Sequence, residues 1–429
     1  MVKPVVSRMI HPRPYVLSFI LLAATSAPAL SAPVTVTGSL SGRHSDNVGK
    51  QDNNEESDTE TVARLNLAHA SDPGQCESDL DASLSYQYWL NDYYDPETNA
   101  TSRFSGRCQL RRGLDWTLNN NLSQVLRSSR QNDTPENRSR KNIFRTGPVL
   151  TVPLSDVDQL QASASFENTE YQDRELRDSN RYIGSLGWNH RFDATLSGGV
   201  SASGNQQELD NGAENDTRSV NLNLNKIWSA SSLNASLGYS RQESQLGATE
   251  FTSDGLIGSL TFTREINPTA SAYLSASRQL TDQASDFTLE FGDVEFDATE
   301  QFGVEVTAIE LGLNKRFSDG SRLDLQGFAN RQDYQAGDQE ENSLGMRFSA
   351  SRPLRPHLSF TANGSYEYLR YEDNAQDDQL IEASVGLSYR LTEDLDCSGS
   401  LGHSMRKSDL PSVEYNENWV QVALSYRFL

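Results

Sequence analysis

The chain has 429 residues, a formal net charge of −22 and a negative mean hydropathy. Beyond the N-terminus nothing offers the roughly 20 apolar residues of a membrane helix, and such acidity argues against nucleic acid as a partner. Disorder fits poorly, because 16 Phe and 16 Tyr recur at regular phases. A β-barrel passes these tests, since its alternating strands each carry only a weak hydropathy signal.

Taken in chain order, Lys3, Arg8 and Arg13 come first, then the short apolar stretch Tyr15 to Ala24, then small residues. That is the layout of an export signal. Ala29-Leu30-Ser31 gives a small-x-small cleavage site leaving Ala32 first, with Ala27-Pro28-Ala29 as second choice. Residues 1–31 therefore read as a signal peptide and 32–429 as the mature domain. Losing three positive charges with the signal takes the net charge from −22 to −25.

The mature chain repeats one seven-residue cassette. Its cleanest copies are Leu186-Gly-Trp-Asn-His-Arg-Phe192, Leu311-Gly-Leu-Asn-Lys-Arg-Phe317, Val385-Gly-Leu-Ser-Tyr-Arg-Leu391 and Val422-Ala-Leu-Ser-Tyr-Arg-Phe428. Ten copies follow one another at 36 to 43 residues, with one gap of 51. In the last copy Val420, Val422, Leu424, Tyr426 and Phe428 share one phase of a two-residue period, and Gln421, Ala423, Ser425 and Arg427 share the other. One face suits lipid and the other water. Each cassette but the last is followed by a short turn and a second alternating strand, then by a longer polar loop such as Asn91–Ser102, Arg130–Lys141 or Asp210–Thr217. With Val34–Arg43 as the first strand, the pattern predicts an all-β, antiparallel, up-and-down transmembrane barrel of about 20 strands. Its short turns face the periplasm and its long loops the exterior. A soluble repeat array such as a propeller fits less well, because the oily faces carry too little charge.

The 51-residue gap holds two further alternating runs, Phe287-Leu289-Phe291 and Val294-Phe296, on either side of Gly292-Asp293. They read as wall strands prolonged above the membrane, with Ala270 facing Lys315; the sharper reading is a loop folded inward as a constriction. Three cysteines cannot all pair. A Cys76–Cys108 disulfide is possible in an oxidising compartment, yet hairpin register puts Cys76 opposite about residue 116, away from Cys108, which favours unpaired thiols for Cys76, Cys108 and Cys397.

The inward phase of the wall is hydrogen-bonding and uncharged at Asn189, Asn223, Asn225, Thr261, Thr263, Asn314, Ser349, Ser388, Gln421 and Ser425. Such a lining suits water and sugar hydroxyls, and would serve any wet barrel interior. The sixth cassette position holds Arg191, Arg316, Arg390 and Arg427, which should lie at one height just inside the periplasmic mouth. There they form an anion filter, or pair with neighbouring carboxylates and only stiffen the wall. No phosphate loop, dinucleotide fingerprint or metal-ligand spacing occurs. His403 and Ser404 are sequence neighbours on a strand and point to opposite faces, so they make no nucleophile–base pair. No enzyme, cofactor or metal is expected.

The opening strand closes in His44-Ser45-Asp46-Asn47, hairpin repeats run throughout, and the terminal strand ends near Phe428. In these features the chain resembles the outer-membrane β-barrel proteins associated with exopolysaccharide and exosortase (PEP-CTERM) systems. The resemblance implies a role in moving or anchoring a secreted polysaccharide, with periplasmic export components as partners. The residues alone imply a pore for hydrophilic solute in outer-membrane lipid, delivered to the barrel assembly machinery through the strand Val420–Phe428. The alternative is a plugged barrel whose acidic loops mediate surface contact.

Overall fold

The computed structural model describes residues 34–429 except 174–176, 282–302, 335–338 and 373–375. The signal peptide and the Phe287–Phe296 runs lie outside the described residues. The first strands are β1 (Val34–Ser45), β2 (Asp58–Ala70), β3 (Cys76–Trp89), β4 (Glu97–Arg111), β5 (Leu114–Leu126), β6 (Arg138–Pro153) and β7 (Asp158–Tyr171). Next come β8 (Ser179–Arg191), β9 (Leu196–Leu209), β10 (Ala213–Ile227), β11 (Ser231–Leu246), β12 (Thr249–Asn267), β13 (Ala270–Thr281) and β14 (Val304–Arg316). The circuit ends with β15 (Arg322–Tyr334), β16 (Glu340–Arg355), β17 (Leu358–Tyr371), β18 (Gln376–Arg390), β19 (Leu395–Ser408) and β20 (Tyr415–Arg427).

Each strand pairs antiparallel with its sequence neighbours, and β1 pairs with β20 from Thr37↔Arg427 to Ser45↔Trp419, so the barrel closes without an edge. The seam runs one step further, because Phe428 N donates to Val36 O at 2.8 Å and Val36 N to Leu429 O at 3.2 Å. Gly38 lets the Phe428 ring lie close against β1: a Cβ on it would stand 2.8 Å from the ring, which would have to shift. Connections at the rim holding the termini are two to five residues long. Across the 51-residue gap the register is the expected one, with Ala270 opposite Lys315.

Alternation decides which side chains meet lipid. Leu186, Leu222, Leu311, Leu344, Leu401 and Val422 stand on the outer face, and Leu256 is 63% exposed. In water these groups would be a liability; in a bilayer every backbone polar group is satisfied by the closed ladder and the outer face is solvated by acyl chains. Trp188, Phe192, Trp228, Phe317, Tyr389 and Tyr426 form an aromatic girdle near the short turns. Lys226 and Lys315 sit at the same level, each donating to a turn threonine (Thr195 and Thr269) at 2.8 Å.

Two expectations are corrected. The strands run further towards the long-loop rim than polarity indicates: β4 starts at Glu97, β6 at Arg138 and β10 at Ala213, inside stretches read as loops. Above the lipid both faces of a strand can be polar while the hydrogen-bond ladder continues, so hydropathy marks where the membrane ends and not where the strand ends. The second correction follows from the first. The β3–β4 loop is shorter than Asn91–Ser102, which moves the hairpin register and sets Cys76 directly opposite Cys108. Their Cα atoms are 4.0 Å apart and the two are disulfide-bonded. Residue 116 does face Cys108, but from the next hairpin. Cys397 is free.

Candidate functional site

The inner surface divides by height. Towards the short turns the inward side chains are small, polar and at least partly exposed. Asn189, Asn225, Thr263, Asn314, Ser388, Gln421 and Ser425 all lie there or at mid-height, none of them buried. Much of their hydrogen bonding stays within the wall. Asn225 bonds Asn234 across β10–β11, Asn223 bonds Ser201, Thr261 bonds Ser275 at 3.3 Å and Ser349 bonds Asn363 at 3.0 Å.

The four sixth-position arginines each end a strand: β8, β14, β18 and β20. Arg427 donates to Asp394 at 3.2 Å and to the Glu393 carbonyl at 2.9 Å. Arg390 lies 3.7 Å from Asp396, and Arg191 donates to the Asp156 carbonyl at 2.6 Å. Arg316 faces Arg322 across β14–β15.

Towards the long loops the inward side chains are packed. Buried tyrosines (Tyr334, Tyr371 and Tyr415) alternate with buried polar groups such as Glu167, Gln207, Asn215 and Asp378. The polar groups are cross-braced. Glu167 accepts from Arg145 and lies 3.7 Å from Arg181; Glu417 accepts from Arg43 at 2.9 Å, Ser45 at 2.7 Å and Ser404 at 3.0 Å. Buried charges persist only when paired and hydrogen-bonded in this way.

The β5–β6 loop explains much of this burial. Residues 127–137 leave the wall and reach strands far away in the chain. Tyr371 Oη donates to the Ser129 carbonyl at 3.3 Å, and the Arg130 guanidinium stacks on the Tyr371 ring at 4.7 Å. Arg406 donates to the Arg130 carbonyl at 3.1 Å and to Asn132 Oδ1 at 3.2 Å, while Asn132 donates to the Lys50 carbonyl at 2.8 Å. Arg406 is 3% exposed and also ion-paired with Asp378 on the adjacent strand β18. The loop therefore bridges β5–β6 to β17–β19.

Beneath it lies a cavity of about 770 Å³. Asp133, Thr134 and Pro135 of the loop and Lys50 of the β1–β2 loop roof it, and β1–β4, the start of β6 and β13–β20 supply its walls. Seven carboxylates and four Arg or Lys side chains line it, together with Trp89, Tyr94, Tyr273 and Trp419. Arg43 is stacked on Trp419 at 4.8 Å, so one cation is spent on the wall itself. Within the roof, burial alone would raise the Asp133 carboxyl, yet Arg138 donates to it twice, at 2.6 and 2.8 Å. Those bonds, with the Arg138, Lys50 and Arg43 charges, hold it below the usual carboxylate range. Burial beside Tyr93 and Glu136 pushes the Tyr94 phenol up. Among the described residues no group of His, Cys, Asp and Glu could hold a metal ion.

The tetrapeptide that ends the first strand has a structural part in this arrangement. Asn47, fully buried, donates to the carbonyls of Gln51 at 2.7 Å and Asn416 at 2.8 Å, and Asp46 accepts from the backbone and side chain of Asn418 at 2.7 and 2.9 Å. It clasps the β1–β2 loop to β20 at the outer end of the seam.

Residues 341–428, which run from β16 to the end of β20, match a family model described as "Putative beta-barrel porin 2". The chain is an outer-membrane-type β-barrel. No curated protein matches it. Solved structures of similar shape include the copper transporter OprC, at 10% identity over 93% of this chain and 81% of that one, with a TM-score of 0.47. The FrpB iron transporter from Neisseria meningitidis matches at 9% identity over 92% and 82%, TM-score 0.47. The ferric yersiniabactin uptake receptor FyuA from Yersinia pestis matches at 10% identity over 92% and 80%, TM-score 0.44.

Sequence reasoning found the wall and missed the site's upper half. Arg406, Asp378, Tyr371 and Arg130 lie outside the cassette, on strand extensions and a loop. Their one signal was an arginine and a tyrosine at inward phase on β19 and β17, where the lower wall uses Ser, Thr and Asn.

Proposed function

We propose that the barrel passes hydrophilic solute across the outer membrane. The observation that carries this reading is the cavity: a polar compartment continuous with an inner wall of hydroxyls and amides, inside a barrel whose outer face is apolar. Barrels of 16–18 strands already leave an aqueous channel, so a twenty-stranded wall encloses a lumen wide enough for one. The partial family match to a porin model supports the same reading.

Charge enters at two levels in series. The cavity, with seven carboxylates against four cations, favours cationic and neutral solutes. The arginine level at the periplasmic mouth acts in the opposite sense, and Arg316 is the member we expect to matter most, because Arg191 and Arg427 are tied to turn groups and Arg390 lies beside Asp396 on the neighbouring strand. For the finer identity of the passenger we propose a secreted polysaccharide. Its support is the resemblance to exopolysaccharide-associated barrels and a lining able to exchange hydrogen bonds with sugar hydroxyls.

A second reading is favoured by one observation, the loop lying across the lumen. A barrel so plugged would display its loops and conduct nothing. Planar-bilayer recording separates the two: stable single-channel currents support passage, and silence from correctly folded, heat-modifiable protein sinks it. Replacing Arg316, Arg390 and Arg427 together by Gln should move the reversal potential towards cation preference. An unmoved potential would remove the filter.

A further inference from the structure

We infer that the β5–β6 loop is a gate, held shut by Arg406, over the cavity. The inference rests on the passage reading and adds to it a moving part with a defined latch.

Three features point to a hinged flap. First, the loop is braced within itself. Asn137, 4% exposed, donates to the carbonyls of Ser128 at 2.9 Å and Asn132 at 3.2 Å and accepts from Ser128 N at 3.1 Å. Arg127 N donates to the Asn137 carbonyl at 2.8 Å, and Arg138 holds Asp133 with two hydrogen bonds. The loop keeps its shape if it moves, with its joints where it leaves β5 and enters β6.

Second, its hold on the far wall is polar. It includes the Tyr371 and Arg406 hydrogen bonds to loop carbonyls and Asn132, the stacking of Arg130 on Tyr371, and an Arg130–Glu341 pair at 3.7 Å. Contacts of this kind exchange readily for water.

Third, the latch residue has its charge satisfied in either position. Arg406 and Asp378 belong to neighbouring strands β19 and β18, and their ion pair, with an Nε–Oδ2 bond of 3.1 Å, involves no loop atom. Lifting the loop hydrates the pair and leaves it intact. On lifting, the loop takes only neutral acceptors away from Arg406, the Arg130 carbonyl and Asn132 Oδ1. Two arrangements of one rigid element, with the Arg406–Asp378 pair intact in both, are what a bistable gate needs.

The test uses the full-length mature protein in planar bilayers. Replacing Ser129–Asn132 by Gly-Gly should raise single-channel conductance severalfold and abolish closures, and Arg406→Gln should lengthen openings without changing the fully open level. The converse variant carries Arg130→Cys and Glu341→Cys in a Cys397→Ser background, joined by a reductant-cleavable bifunctional thiol reagent. It should stay closed until the reagent is cleaved, whereas the same protein without reagent, and each single-cysteine control treated with it, should still open. If the parent conducts like the loop-shortened protein and the crosslink changes nothing, the gate is overturned and the passage reading stands. If even the loop-shortened barrel, folded by heat-modifiability, is silent, the passage reading itself fails.

Discussion

The two halves of the lumen are lined by the same strands and obey the same alternation, yet they differ in kind. Near the short turns, Ser388, Gln421 and Ser425 are small and partly open to solvent. Near the long loops, Tyr371, Asp378, Arg406 and Glu417 are buried, and every charge among them has a partner. Inward phase therefore does not set how dry a position is. The loops do, by covering some inward residues and leaving others wet. A polar residue under cover must be paired, because an unpaired buried charge costs several kcal/mol; one in the open half faces no such demand.

The contrast can be broken by single substitutions. Asp378→Leu leaves Arg406 buried without its carboxylate and should lower stability by about 3–5 kcal/mol, read as the urea midpoint of the barrel in lipid or detergent. A loss as small as that of an exposed pair would mean the upper lumen is wet after all. Glu417→Gln keeps the shape but weakens hydrogen bonds from Arg43, Ser45 and Ser404, for an expected loss of about 1–3 kcal/mol.

Acid sharpens the comparison at the roof. The folded pKa of Asp133 is depressed by Arg138, so its stabilising contribution is complete above the ordinary carboxylate range and disappears as pH falls through the depressed value. The urea midpoint of the barrel should therefore be unaffected by this group at neutral pH and fall on its account only below about pH 4, a loss that Asp133→Asn would show at every pH. The smallest changes belong to the open half: Asn225→Ala and Ser388→Ala should each shift stability within about 0.5 kcal/mol. A larger loss at either would show that the lower lumen is as tightly packed as the upper.

How much of this was readable beforehand depends on range. Val420, Val422, Leu424, Tyr426 and Phe428 announce an outward face because neighbours on a strand are only two residues apart, and the Ala270–Lys315 pairing follows from continuing one hairpin. The Cys76–Cys108 bridge was misread because it hangs on the length of a single loop, and polarity ceases to mark strand ends once both faces meet water. The loop's crossing had no local signature at all.

From its own pattern the chain determined a closed, twenty-stranded barrel with lipid outside and hydroxyls within, since a period of two is a property of adjacent residues. Folding in three dimensions decided what stands in the passage. Arg406 meets Arg130 across 276 residues and Tyr371 meets Ser129 across 242. Such a meeting depends on how the closed wall aims its loops, which no window of sequence contains.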